Sequence, residues 1–149
     1  MGVVYFGQGK FKESIPFWQK AIAIAPSPGL FTDLGTAYFY LGRYGESVTM
    51  FEKAVAMSPN EELLTGNLAD GYRWNGQKQK SLATYDKAIA LAYKELQVNP
   101  RNTSAMGSLA GYYAKKGDGA QAIEWVSRAR SIDPHSVQLM SPRPRSCTR

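Results

Sequence analysis

Few residues of this chain carry the groups from which reactive centres are built. His135 is the sole histidine and Cys147 the sole cysteine, so a histidine metal site, a Cys-His pair and a Ser-His-Asp triad all lack parts. Neither catalysis by those routes nor a bound metal or cofactor is expected. Glu61 and Glu62 are adjacent carboxylates ahead of an apolar run, where they suit the positive end of a helix macrodipole better than acid-base work. The glycines do not gather into a phosphate-cradling loop behind a strand; they recur at a long, regular interval. Asn102-Thr103-Ser104 has the form of a glycosylation acceptor, but without an export signal it reads as a helix-capping cluster.

With chemistry so thin, the elements carry the information. The 149 residues, 44% apolar and 20% charged, suit one domain with its own core and exclude a disordered acidic chain or a collagen-like polymer. Eighteen basic against twelve acidic residues give +6, yet Arg143, Arg145 and Arg149 fall in the last nine residues, and the remainder carries only +3. That is a weak argument for nucleic acid. One cysteine excludes a disulfide framework and points to a reducing compartment, hence a cytoplasmic protein. Neither a signal peptide nor a membrane span is expected, and Phe6 stands where a myristoylation signal needs Ser or Thr.

Self-similarity is the main signal. Gly2, Gly9, Ala21 and Pro26 recur as Gly35, Gly42, Ala54 and Pro59, each 33 residues later. Gly42 to Gly76 and Ala54 to Ala88 are each 34, and Gly76 to Gly117 and Ala88 to Ala129 are each 41. Apolar residues flank each central glycine at helical spacing, as in Leu34, Ala37, Tyr38 and Leu41, then Val48, Phe51, Ala54 and Val55. Each unit is therefore a helix, a glycine turn and a second helix, with Gly9, Gly42, Gly76 and Gly117 at positive φ. Pro26, Pro59, Pro100 and Pro134 mark where second helices stop. Small residues at Gly35, Ala37, Ser47 and Ala54 let the helices approach, while Tyr38 and Phe51 fill the space between them.

This pattern resembles the tetratricopeptide repeat, W-x2-L-G-x2-Y, then A-x3-F, then P. The second unit reads Phe31-x2-Leu34-Gly35-x2-Tyr38, Ser47-x3-Phe51, Ala54 and Pro59. The third has Leu68-Ala69-x2-Tyr72, Ser81-x3-Tyr85 and Ala88; the fourth has Leu109-Ala110-x2-Tyr113, Ala122-x3-Val126, Ala129 and Pro134. The first begins late, at Gly2-x2-Tyr5, with Ser14-x3-Trp18, Ala21 and Pro26. The resemblance implies an all-α, right-handed α-solenoid of about four helix-turn-helix repeats over residues 1–140. The units span about 1–27, 28–60, 61–101 and 102–134, with the start of a further helix at 135–140 and a disordered basic tail at 141–149. Both ends of the array look cut, as in a fragment of a longer one.

The seven residues added between Ala88 and Pro100 contain no Gly or Pro, so they lengthen the third unit's second helix by roughly 10 Å. They act either as a spacer or as a ledge around Tyr93 and Leu96 that touches a partner.

In this family the first helices line a concave face where peptides or partner helices lie. The matching residues are Thr32, Asp33, Thr36, Phe39 and Tyr40, then Asn67, Asp70, Arg73 and Trp74, then Ser104, Ser108, Gly111 and Lys115. Asn67, Asp70 and Arg73 could bond a peptide backbone, Tyr40 and Trp74 offer rigid apolar area, and Gly66, Gly107 and Gly111 leave room. The competing reading packs Phe39 and Tyr40 between helices and pairs Asp70 with Arg73 at the surface. The carboxylate clamp of chaperone-binding relatives is not expected, because its positions hold Thr32, Thr36, Asn67, Ser104 and Ser108, with no cation. The functional expectation is a non-catalytic scaffold binding a protein or peptide. Self-association through uncovered repeat ends is the alternative. Nucleic-acid contact through the tail, Lys115-Lys116 and Trp74 is a weaker one.

Overall fold

The computed structural model describes residues 2–135, Val4 by its backbone alone. Residues 136–140 of the expected further helix and the tail at 141–149, with Cys147, lie outside the described residues. Among the described residues there are eight α-helices and no strand. They are α1 (Gly2–Gly7), α2 (Phe11–Ile24), α3 (Pro28–Tyr40), α4 (Tyr44–Met57), α5 (Glu62–Trp74), α6 (Lys78–Val98), α7 (Thr103–Lys116) and α8 (Gly119–Ile132). Each helix packs on the one before and the one after it, and α3 also touches α5.

Local chemistry sets the helix limits. Ser27 caps α3 by accepting from Leu30 N–H, with Pro28 in the first turn, and Asn102 and Asp118 cap α7 and α8. Between the two helices of each pair stands a glycine with φ of +72° (Gly9), +74° (Gly42), +76° (Gly76) or +89° (Gly117). The same two bonds close each turn: Gly42 N–H donates to Phe39 C=O and Arg43 N–H to Tyr38 C=O. The carbonyls of Tyr5, Tyr72 and Tyr113 accept likewise from Lys10, Gln77 and Asp118. This is the left-handed closure that a side chain would strain.

The core forms three clusters strung along the stack, not one mass. Ile15, Trp18, Leu34 and Tyr38 build the first, Val48, Phe51, Leu68 and Tyr72 the second, and Tyr85, Ile89, Leu109 and Trp125 lie in the third. The second helices present their largest rings to small residues on the first helices. A Cβ on Gly35 would stand 2.7 Å from Phe51 Cε1, and one on Gly71 would stand 3.1 Å from Phe51 Cδ2. One on Gly2 would stand 3.2 Å from Trp18 Cε2.

The motif tyrosines occupy equivalent places and reach back to the preceding second helix. Tyr38 Oη accepts from Gln19 Nε2 at 3.3 Å, Tyr72 Oη donates to Glu52 Oε1 at 2.6 Å, and Tyr113 Oη lies 3.2 Å from Tyr93 Oη. The last pair uses the extension: α6 has 21 residues where α4 has 14. Tyr93 packs edge-on to Trp125 at 5.6 Å, and Leu96 joins the third cluster. The extra turns therefore lean on the fourth helix pair, while Val98 at their end is 89% exposed.

Gly35→Ala is expected to destabilise the fold by about 1–3 kcal/mol, because overpacking against Phe51 outweighs the gain in helix propensity. Gly107, whose Cβ would meet nothing within 4 Å, provides the contrast. Gly107→Ala should be neutral or stabilising by up to about 1 kcal/mol. Urea unfolding followed by circular dichroism measures both.

Candidate protein-binding face

The three longer first helices, α3, α5 and α7, are buried over most of their circumference, whereas the second helices bury single stripes. Most of the thirteen residues matched to the concave face are therefore inside. Thr32 and Thr36 are fully buried, and their hydroxyls donate to carbonyls of their own helix, Pro28 at 2.9 Å and Thr32 at 2.8 Å. Asp33, Phe39, Asn67, Asp70, Ser108 and Gly111 are buried as well. Tyr40 and Lys115 are half-buried, and Arg73, Trp74 and Ser104 are exposed.

Asp70 and Lys115 come together in one ion pair. Lys115 Nζ donates to both Asp70 oxygens at 2.7 Å, and Tyr85 Oη donates to Asp70 Oδ1. Asp70 is 3% exposed, so in place of a surface pair with Arg73 it anchors a polar knot joining α5, α6 and α7. Burial, with the Asp70 carboxylate as the next cause, pushes the Tyr85 phenol far above its ordinary range. Burial and the bond to Glu52 push Tyr72 up to about 12. Lys116 is paired with Asp86, so both lysines suggested for nucleic acid face carboxylates.

Glu62 departs from the sequence expectation. It opens α5, as a macrodipole partner would, but it is 3% exposed and accepts from Tyr112 Oη. The Tyr112 ring fills the space beside Gly66, where a Cβ would stand 2.7 Å from Tyr112 Cζ. Gly66 is thus occupied, not open to a ligand, while Gly107 is open. The signal was available in the repeat. At offsets of 34 and 41, Tyr112 stands where the earlier pairs have Ala37 and Gly71, and Gly66 stands where the second unit has Thr32. A large residue gained and a large residue lost at neighbouring places form one knob and one hole.

Phe39, Tyr40 and Trp74 also come together. Phe39 sits edge-on to Trp74 at 5.8 Å and to Tyr40 at 6.2 Å. Arg73 lies close enough to the Asp70 grouping for its charge to act on the Tyr85 phenol, and Ser104 belongs to neither grouping. Among the described residues no cluster of His, Cys, Asp or Glu could hold a metal ion, and no helix is long and apolar enough to cross a membrane. The reachable groups offer contact area, a guanidinium and a hydroxyl, which suits binding.

Two outcomes follow from the polar ties. Lys115→Met is expected to destabilise by about 3 kcal/mol, because it leaves the buried Asp70 carboxyl without its cation partner; chemical denaturation measures it. Tyr72 and Tyr85 stay protonated in the folded chain above pH 10, the ordinary tyrosine value, while the unfolded chain ionises there. The unfolded state then binds fewer protons, so stability is whole below about pH 10 and falls as pH rises toward 12. Tyr72→Phe should flatten that slope in unfolding curves taken across the window.

The family model described as bacterial transcriptional activator domain (BTAD) matches residues 29–110, more than half of the chain. Among curated proteins, cellulose synthase operon protein C of Escherichia coli (strain K12) is 38% identical over 50 residues. That match covers 34% of this chain and 4% of the relative, so the chain spans a small part of that protein's length. Among solved structures, TTC0263, a thermophilic TPR protein in Thermus thermophilus, superposes with a TM-score of 0.67 at 17% identity, covering 89% of this chain and 71% of that one. MamA 41-end from Desulfovibrio magneticus RS-1 gives 0.63 at 18%, covering 90% and 72%. YrrB, described as a TPR protein with an unusual peptide-binding site, gives 0.59 at 21%, covering 90% and 66%. With its glycine turns, back-reaching tyrosines and stacked pairs, the chain is a right-handed α-solenoid of the tetratricopeptide type and belongs to the bacterial transcriptional activator domain family.

Proposed function

We propose that the chain is a non-catalytic protein-interaction scaffold that receives a peptide or helix of a protein partner along the trough of α3, α5 and α7. The observation that carries this reading is the division of labour on those helices. Most of their buried polar groups with recorded bonds are tied to one another or to backbone, as with Thr32, Thr36 and the Asp70–Lys115 pair, while the buried Ser108 hydroxyl has no partner among the described residues. Their reachable positions include small ones, Ser104 and Gly107, and broad rigid rings, Tyr40 and Trp74, beside the Arg73 guanidinium. A fixed floor with close-approach points and aromatic anchors binds with little ordering cost.

The likeness to YrrB, described as having a peptide-binding site, supports the same reading. The family's description directs the search for partners to bacterial transcriptional regulators. The test is selection of peptides from a displayed library by the wild-type chain, followed by affinity measurement on variants. Ser104→Arg and Gly107→Arg, which fill the trough, are expected to weaken selected peptides about tenfold or more with an unchanged melting curve. Unaltered affinities in both variants would remove the trough as the binding face.

A further inference from the structure

The turns that join the first to the second helix of each pair lie along one edge of the stack, the rim of the trough. A continuous row of rings follows that edge through three helix pairs. Phe6 meets Phe11 edge-on at 5.2 Å, Phe11 stacks on Tyr40 at 4.5 Å and 5°, and Tyr40 meets Phe39 at 6.2 Å. Phe39 then meets Tyr44 at 5.3 Å and Trp74 at 5.8 Å. Phe39 is buried, the rings on either side are half-buried, and Trp74 ends the row 43% exposed. The chain's other two tryptophans, Trp18 and Trp125, are each 6% exposed.

The charge around this row is one-sided. From Gly71 to Tyr85 the sequence contains Arg73, Lys78 and Lys80 and no acid. The carboxylates that bracket the stretch are taken: Asp70 by Lys115 and Asp86 by Lys116. On the neighbouring turn, Glu46 is held by Arg43 through two bonds. Arg73 immediately precedes Trp74 and Lys78 follows it across the turn, and neither forms an ion pair among the described residues, while Lys80 lies over the Tyr72 ring at 5.4 Å. A rigid apolar ring among uncompensated positive charge calls for a ligand that supplies both an apolar side chain and negative charge.

We propose that this rim docks an acidic segment of a protein partner, with one large apolar residue of that segment packed on Trp74. The proposal rests on the reading of the chain as a protein-interaction scaffold and names the chemistry of its partner. The acids meet Arg73 and Lys78, and the segment continues along the half-buried rings toward Tyr40.

Four fluorescent probes test it by anisotropy. They are a twelve-residue Asp/Glu peptide with a central Phe, the same peptide with Ser for Phe, the same with Lys for every acid, and a twelve-residue oligo-dT. The acidic Phe peptide is expected to bind, to weaken with added salt, and to shield tryptophan emission from acrylamide, since Trp74 is the accessible indole among the three. The Ser peptide, the Trp74→Ala variant and the double variant Arg73→Gln, Lys78→Gln should each cost about fivefold or more in affinity. The double variant alters exposed side chains only and keeps the test valid if Trp74→Ala fails to fold. Tighter binding of the Lys peptide or of the oligonucleotide overturns the proposal, as does full affinity in the double variant. If Gly107→Arg abolishes binding of library-selected peptides while the rim variants leave them unchanged, the trough stands and the acidic rim falls. If no peptide of any composition binds, both readings fall.

Discussion

Phe51 lies between two glycines on two different helices, Gly35 of its own pair and Gly71 of the next, and the stacking of the array depends on this contact. A ring that enters the backbone surface of both neighbours fixes how near α3 and α5 come to α4. Interiors are dense enough that a single methyl at either glycine meets the ring. The arrangement repeats with substitutions: Trp18 faces Gly2, and Tyr85 shares a cluster with Ala69. Large residues on second helices and small ones on first helices therefore set the interhelical distance. Neighbour-only packing of this kind yields the strung-out clusters seen here in place of a single core.

Polar ties add direction to what apolar packing leaves loose. The motif tyrosines each reach back to the preceding second helix, so their rings fill the interface while their hydroxyls fix its register. Two ties are longer. Tyr112 bonds Glu62 across 50 residues, and Lys115 bonds Asp70 across 45. Both connect α7 to α5, where the extension of α6 would otherwise let the last pair shift. A buried carboxylate needs such partners: the next unit supplies Tyr112 to Glu62 and Lys115 to Asp70, and Tyr85 of Asp70's own unit adds a further bond.

The consequence for function is subtractive. Each side chain drawn into a tie or a hole is withdrawn from the surface, and of the residues matched to the concave face Arg73, Trp74 and Ser104 stay exposed and Tyr40 and Lys115 half-buried, with Gly107 open beside them. Helix caps and glycine turns fix the backbone from which these residues project.

The helix-turn-helix period, the four positive-φ glycines, the cap at Asn102 and the equivalence of Tyr38, Tyr72 and Tyr113 were legible along the chain. They depend on local backbone chemistry and on spacing, which a linear string preserves. The reach of the candidate site was not legible. Whether Asp70 faces a ligand or Lys115, and whether Gly66 is a gap or a socket for Tyr112, depends on residues 45 and 46 positions away in the chain. Repeat geometry assigns a residue to a face, but its accessibility depends on the size of whatever the adjacent unit places against it. That quantity exists only once the helices have packed.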